Sequence, residues 1–340
     1  MIATWGRGAS GAKSLTLNSH IDVVSWEEGA DAWSVHPLAG EVRDDRIIGR
    51  GAVDAKGQIV AACMALLGLR DAGLEPEGTV MLMSVVDEEP GGNGTLAACL
   101  EGLSADAAIV LEPTGNHVAY GHRGIVDLRV TVQSAAGHGA VAGAAPGGAV
   151  VRAADIIPAL SSVLHGWHAP QDAVYGPPSL NIGRIEGGED IFSVPRRCTL
   201  DAGLRYAPGT GEAVLAAARD GLARAGVVWD EDSAPEVARV VSHYDAAETP
   251  PAHRLIQGLL GAAQRFAPGA TLTTFPGGCD ARHLVNRGGI PTAIFGAGEL
   301  SSAHRADEAV PIAELVTTAQ TLAWFIMEWA GCHRNGSPAA

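Results

Sequence analysis

Residues 79–94, TVMLMSVVDEEPGGNG, carry an apolar run, Val80–Val86, broken only by Ser84 and ending on three consecutive acids, Asp87, Glu88 and Glu89. Neighbouring ionised carboxylates repel, and dehydrating each one costs several kcal/mol. A cluster of this kind at the carboxyl end of an interior strand makes sense when something positive binds there; the alternative is a solvated acidic turn. Further candidates lie elsewhere: His20 and Asp22 in SHIDVV, Asp54 in GRGAVDAKG, Glu112 in LEPTG and His304 in AHRADE. On extended backbone His20 and Asp22 face the same side, which suits a metal-binding imidazole whose second nitrogen is held by a carboxylate. Singly, each has an ordinary alternative: a turn for the HxD pair, a helix cap for Asp54, a surface histidine for His304. Together, His20, Asp54, Glu89, Glu112 and His304 supply two imidazoles and three carboxylates. Two divalent ions about 3.5–4 Å apart need such a set: one bridging carboxylate, with a histidine and a further carboxylate for each ion. Mixed nitrogen and oxygen donors suit zinc, with cobalt or manganese as alternatives. Glu88, next to a ligand candidate but not needed as one, is free to act as a base.

The elements that must position these residues follow from the apolar pattern. Val80–Val86 and Ala107–Leu111 read as buried strands of a parallel sheet, and Ser14–Asn18 leads as a strand into His20. Helices are predicted over Ile59–Ala72 and Thr95–Leu103, so the chain from Ser14 to Glu112 alternates strand and helix as a doubly wound α/β sheet. Gly6–Gly11 formally matches GxGxxG, but a strand rather than a helix follows it, so a hairpin-like turn between Met1–Trp5 and the next strand is expected.

Near Tyr120 the pattern changes. Val126, Leu128, Val130 and Val132 alternate with Asp127, Arg129, Thr131 and Gln133, as in a half-solvated antiparallel strand. A Gly/Ala/Pro-rich loop containing His138 precedes a helix over Gly148–Leu164. Strands at Ser179–Glu186 and Cys198–Tyr206, a helix at Glu212–Ala225 and a strand at Val237–Ser242 complete a β-α-β-β-α-β, ferredoxin-like order. The first domain then resumes with helix Ala252–Phe266, a short segment Thr271–Phe275, strand Pro291–Phe295 and helix Ile312–Trp329; a frayed tail His333–Ala340 is expected. The expected organisation is a discontinuous α/β domain, 1–118 and 243–340, with an inserted α+β lid and dimerisation domain, 119–242.

The chain has 340 residues, 47% of them hydrophobic and 18% charged, enough for two buried cores. Its formal net charge of −15 argues against nucleic acid and anionic membrane surfaces as partners. No apolar run reaches the roughly 20 residues that span a bilayer, and residues 1–12 lack a basic segment followed by an apolar core. Five scattered cysteines, with no CxxC pair, read as free thiols in a reducing cytoplasm. No GxSxG elbow appears, which argues against a serine hydrolase. A di-metal phosphoesterase would use similar ligands.

SHIDVV, GRGAVDAKG, VVDEEPGGNGT, LEPTG, GCDAR and AHRADE occur in this order over nearly the whole chain. In this the sequence resembles the co-catalytic di-zinc amidohydrolases, which include acetylornithine deacetylase, succinyl-diaminopimelate desuccinylase, aminoacylase and glutamate carboxypeptidase. The resemblance implies two zinc ions bridged by Asp54, with His20 and Glu112 completing one site and Glu89 and His304 the other. It implies that Asp22 orients His20 and that Glu88 is the general base for hydrolysis of an amide. It further implies a homodimer through the lid, in which His138 of AAGHGA reaches the neighbouring subunit's active site. Asn181 and Arg205 of the lid, with Arg282, would hold the amide and carboxylate of a small N-acyl substrate. Cys279 stands where the family block usually has threonine, which removes a small polar substrate contact. Dipeptidase or carboxypeptidase activity, or a non-catalytic dimeric relative, are the alternatives. Family members also place helical residues before the HxD block, so the chain is expected to lack the start of its first domain, with Met1–Trp5 as the remnant of a strand.

Overall fold

The structure is a computed structural model that describes residues 1–27, 30–144, 148–164, 167, 172–230 and 236–334. The chain forms two compact units, residues 1–122 with 247–340, and residues 123–246.

The first unit is built on an eight-stranded sheet. Its order is Ile2–Trp5, Val80–Val85, Leu15–His20, Ala108–Val110, Thr292–Ile294, Val118–His122 and Ala247–Glu248, with Leu272–Phe275 paired to Val118–His122. The four strands from Val80–Val85 to Thr292–Ile294 run parallel. All six residues of Leu15–His20 are buried, as expected for an interior parallel strand covered on both faces. Helices Asn93–Leu100 and Ala281–Asn286 pack together, with Leu284 and Ala281 meeting Ala108, Val110 and Ile294. Helices Lys56–Asp71, Arg254–Phe266 and Ile312–Ala330 form a second group packed on Leu15–His20 and Val118–His122. Arg254–Phe266 shows why it docks: Leu255, Ile256, Leu259, Ala262 and Ala263 form one buried stripe, and His253 caps it by accepting from the Leu255 N–H at 3.2 Å.

The second unit is a five-stranded sheet in the order Ser179–Gly187, Arg197–Tyr206, Gly124–Gln133, Glu236–Tyr244 and Val228–Trp229, antiparallel except for the last pair. Helices Gly148–Ser162 and Gly211–Arg224 cover one face, against Val126, Leu128, Val130, Val132, Leu200 and Leu204. The other face keeps the polar half of the alternation, including a two-point Arg129–Asp201 pair at 2.7 and 2.9 Å.

The α/β architecture expected from the sequence is present, two local expectations change, and one alternative, the helix cap for Asp54, falls away. Ile2–Trp5 and Leu15–His20 do not form a hairpin. They lie on opposite sides of Val80–Val85, the first antiparallel to it and the second parallel. The link between them is pinned by the Arg7 and Ala9 N–H groups on the carbonyls of Pro76 and Glu77. Asp54 is not a helix cap: the helix is Lys56–Asp71 and its N-cap, Ala55, has no side-chain cap bond. Cys332–Arg334 is not frayed but pairs with Leu74–Pro76; residues 335–340 lie outside the described residues. All five cysteines are free, and among the described residues no helix is long and apolar enough to cross a membrane.

Candidate metal centre

Four neighbouring parallel strands end at the same edge of the first unit's sheet, and each feeds one part of the site. His20 is the last residue of Leu15–His20. Glu88 and Glu89 follow Val80–Val85, Glu112 follows Ala108–Val110, and His304 follows Thr292–Ile294 by way of the 300–302 turn. Asp54 comes from the loop before Lys56–Asp71. Carboxyl ends of parallel strands are where open α/β sheets build ligand sites, because the loops there converge without crossing the core.

The Asp54 carboxylate divides between two imidazoles. Its Oδ1 lies 2.9 Å from His20 Nε2, and its Oδ2 lies 3.1 Å from His304 Nε2. Glu112 Oε1 stands 3.8 Å from His20 Nε2, and Glu89 Oε2 stands 3.1 Å from His304 Nε2. The result is two three-residue groups, His20–Asp54–Glu112 and Asp54–Glu89–His304, that share Asp54. The first is fully buried and the second half-open. His20 Nδ1 meets the Asp22 carbonyl oxygen at 3.0 Å, while the Asp22 carboxylate stands at 3.7 Å and accepts from the Glu89 N–H at 3.2 Å. Asp22 therefore orients the ring mainly through its backbone, with the carboxylate tying the two ligand loops together. His304 has a φ of 57°, a left-handed conformation uncommon for a residue with a side chain.

Charge in this cluster is unbalanced. Burial alone would lower the His20 pKa, but the Asp54 bond and the charges of Glu112 and Glu88 push it up to about 11. Bonds to Asp54 and Glu89 raise His304 to about 10 against a smaller desolvation. Burial acts to raise Asp54, yet the two imidazoles hold it well below the usual carboxylate range. Glu112, fully buried and facing Asp54, is pushed up. Three carboxylates around two imidazoles make the cluster net negative, and that charge is what raises both histidines. The donor set, neutral imidazole nitrogen with carboxylate oxygen, is the one that zinc and its borderline neighbours accept. A divalent cation in each group therefore fits these residues.

Glu88 is half-buried beside the centre, and among the described residues no hydrogen bond or ion pair engages its carboxylate. Burial, and next the charge of Asp280, raises its pKa to about 8.

Two residues that support the centre were not singled out from sequence. Glu308 is fully buried; its Oε1 accepts from the N–H groups of Val53 and Asp54 at 2.8 and 3.1 Å, and its Oε2 meets Arg50 Nη1 at 2.7 Å. Asp280 is also fully buried, accepting from Thr95 Oγ1 at 2.6 Å, which in turn accepts from Asn18 Nδ2 at 2.8 Å. Glu308 lies inside the AHRADE block, beside a second acid that masks it, and Asp280 inside GCDAR, where a lone acid between Cys279 and Ala281 was the available signal. The neighbours of Asp280 in the GCDAR block are inward-facing too. Arg282 is 4% exposed and donates to the Cys279 carbonyl at 3.3 Å, and Cys279 is a core residue against Phe275 and Leu284.

The second unit holds the remaining candidates. His138 is exposed in the short strand Gly137–His138, its Nδ1 accepting from the Ala140 N–H at 3.2 Å. Asn181 is exposed on Ser179–Gly187. Its neighbour Arg205 pairs only loosely with Asp127, at 3.8 Å, on the strand that hydrogen-bonds to it.

Residues 16–328 match the sequence profile of peptidase family M20/M25/M40. The chain is 28% identical over 355 aligned residues to N-formyl-4-amino-5-aminomethyl-2-methylpyrimidine deformylase of Halalkalibacterium halodurans, covering 94% of this chain and 80% of that one. It is 32% identical over 313 to succinyl-diaminopimelate desuccinylase of Rhodospirillum centenum, covering 87% and 76%. Its fold superposes on an M20 family metallo-carboxypeptidase from Sulfolobus solfataricus with a TM-score of 0.78 at 18% identity, over 97% of this chain and 87% of that one.

Proposed function

The chain belongs to peptidase family M20/M25/M40 and is a metal-dependent hydrolase, and on that footing we propose that it cleaves the amide bond of a small N-acyl amino compound bearing a carboxylate. The observation that carries this reading is the shared Asp54, with one oxygen on each imidazole, beside a Glu88 whose carboxylate has no partner among the described residues. Two zinc ions would be held by His20, Asp54 and Glu112 and by Asp54, Glu89 and His304. When bound, they would polarise the scissile carbonyl and neutralise charge developing on its oxygen. Glu88 takes a proton from the attacking water and delivers it to the leaving amine, so one carboxylate serves both proton transfers. Asn181 and Arg205 hold the amide and the carboxylate, the guanidinium through two parallel N–H bonds. The curated relatives that remove formyl and succinyl groups support an acyl-amide substrate, and the cytoplasm is the proposed compartment.

The test is a panel of formyl-, acetyl- and succinyl-amino compounds, with dipeptides and an aryl phosphate beside them, on zinc-loaded protein. Turnover of at least one N-acyl compound is expected. Hydrolysis of the aryl phosphate alone would overturn the proposal. Chelation is expected to abolish turnover and lower the melting temperature, since the carboxylates then face one another without a cation; zinc, cobalt or manganese should restore both. Calorimetric melting that ignores the chelator would count against the two-cation centre.

The lid is proposed to form a homodimer in which His138 completes the partner's site. Around His138, three large apolar side chains are exposed: Val141 at 76%, Ile191 at 89% and Phe192 at 71%. The Gly139 N–H donates to the Phe192 carbonyl at 2.6 Å, so these residues form one patch with the histidine. Exposed apolar clusters of this kind mark interaction sites. Mixing His138→Ala with Glu88→Ala subunits, each inactive alone, is expected to restore activity to hybrid dimers. No recovery despite demonstrated subunit exchange would refute completion in trans.

A further inference from the structure

We infer that the first unit carries a second ligand site, for a small carboxylate with an apolar body, in a cavity of about 290 Å³ beside the loop that presents Asp54. Leu38, Ile47, Val60, Val310 and Leu315 supply its apolar wall, and among the described residues Arg50 and Lys56 are the only charged ones that line it. None of the five candidate metal ligands lines it, nor does Glu88.

One of these two cations has no counterpart among the described residues. Lys56 is half-buried, and among the described residues no hydrogen bond or ion pair engages its ammonium. This holds in a chain with a formal net charge of −15. Lys56 is also the first residue of helix Lys56–Asp71, whose first turn contains no acid. A cation at a helix N-terminus is normally unfavourable, because the backbone N–H groups there already present positive charge. Arg50 is 7% exposed; its Nη1 is engaged by Glu308, but its buried Nε has no partner among the described residues. Gly51 fixes the geometry: at a φ of +85°, an added Cβ would stand 2.5 Å from Lys56 Cε, so the lysine stem lies directly over the loop. A half-desolvated ammonium and a helix start therefore meet at one cavity whose side-chain lining, Arg50 aside, is apolar.

That combination selects the ligand class. One carboxylate satisfies the ammonium, and an aliphatic or aromatic body fills the apolar wall. The volume sits near the lower end of small-molecule pockets, roughly 300–1,000 Å³, which suits a body of about benzoate size. A polyphosphate would leave most of its charge against apolar side chains.

The test is calorimetric titration of the metal-loaded protein with benzoate, and with benzylamine as its charge-reversed counterpart. One saturable benzoate site and no benzylamine site are expected. Lys56→Met, which keeps the apolar stem, should weaken binding about 10-fold or more, the usual scale for losing a charge-assisted hydrogen bond. Val60→Trp, at an exposed helix position lining the cavity, should block it by filling space. Glu88→Gln should leave it unchanged, because the catalytic centre is not the site. Melting curves establish that each variant folds. Benzoate affinity unchanged in Lys56→Met and Val60→Trp, or lost in Glu88→Gln, would place the ligand elsewhere and overturn the inference. So would the absence of saturable binding below about 10 mM. Because binding is read directly, failure here is distinct from failure of the proposed amide hydrolysis.

Discussion

Glu88→Ala is expected to lower turnover by about 10²–10⁴-fold, the usual contribution of a positioned acid–base group, while zinc content stays near that of the unaltered protein. The expectation rests on how the strand end distributes its acids. Glu89 faces His304 at 3.1 Å and also accepts from the Val24 N–H at 3.2 Å, so it is committed to the cluster. The Glu88 carboxylate, one residue earlier, has no hydrogen bond or ion pair among the described residues, yet lies close enough to His20, Asp54 and Glu89 to share their field. A ligand and a base thus come from consecutive residues, and truncating the base should leave the cation's donors in place. Glu88→Gln should behave alike, since the amide fills the same space but cannot accept a proton. Metal analysis beside single-turnover kinetics decides the matter. Zinc lost in parallel with activity, with normal turnover per remaining metal, would make Glu88 a ligand and refute the assignment.

The centre was legible in the sequence because its parts sit at the ends of apolar runs. Glu89 and Glu112 each follow a strand whose hydrophobic continuity announces an interior position, His20 closes a strand carrying Leu15 and Leu17, and the change of residue type at these ends is a local signal. The same holds for the second unit, where the period-two pattern from Val126 to Gln133 marks a face covered by helices and a face left polar. What was not legible depends on partners far apart in the chain. Adjacency suggested a hairpin for Ile2–Trp5 and Leu15–His20, but Val80–Val85 inserts between them, and pairing across more than 60 residues leaves no periodic trace. For Asp54 a cap was the local alternative, because Asp before a helix usually is one, and the two imidazoles that claim it come from positions 20 and 304. Glu308 and Asp307 are adjacent acids, and nothing local says which turns inward. Asp307 takes the outer role, accepting from the Ser34 N–H at 2.8 Å with a φ of 53°.

That inward turn sets the largest stability effect expected in the molecule. Glu308→Ala should destabilise the first unit by about 3–5 kcal/mol, the cost of leaving a buried charge without its partner. At 2–4 °C per kcal/mol for a unit of this size, the melting temperature should fall by roughly 6–20 °C. Three groups lose their acceptor at once: Arg50, itself 7% exposed, and the N–H groups of Val53 and Asp54. Arg50 cannot escape to solvent easily, since its guanidinium also lies 5.2 Å from the centre of the Trp33 ring. The effect should reach the metal centre, because the two N–H bonds fix the backbone from which Asp54 spans the imidazoles. Metal affinity should therefore fall in Glu308→Ala even though Glu308 touches no candidate cation position. Arg50→Met in the same background should recover part of the melting temperature by removing the stranded charge, but not the metal affinity, since the Val53 and Asp54 N–H groups remain unpaired. This split separates the two roles of one carboxylate, as counter-ion and as backbone clamp. A Glu308→Ala protein that melts within about 1 °C of the original, against the loss expected for a broken buried pair, would show that the loop is held by other contacts.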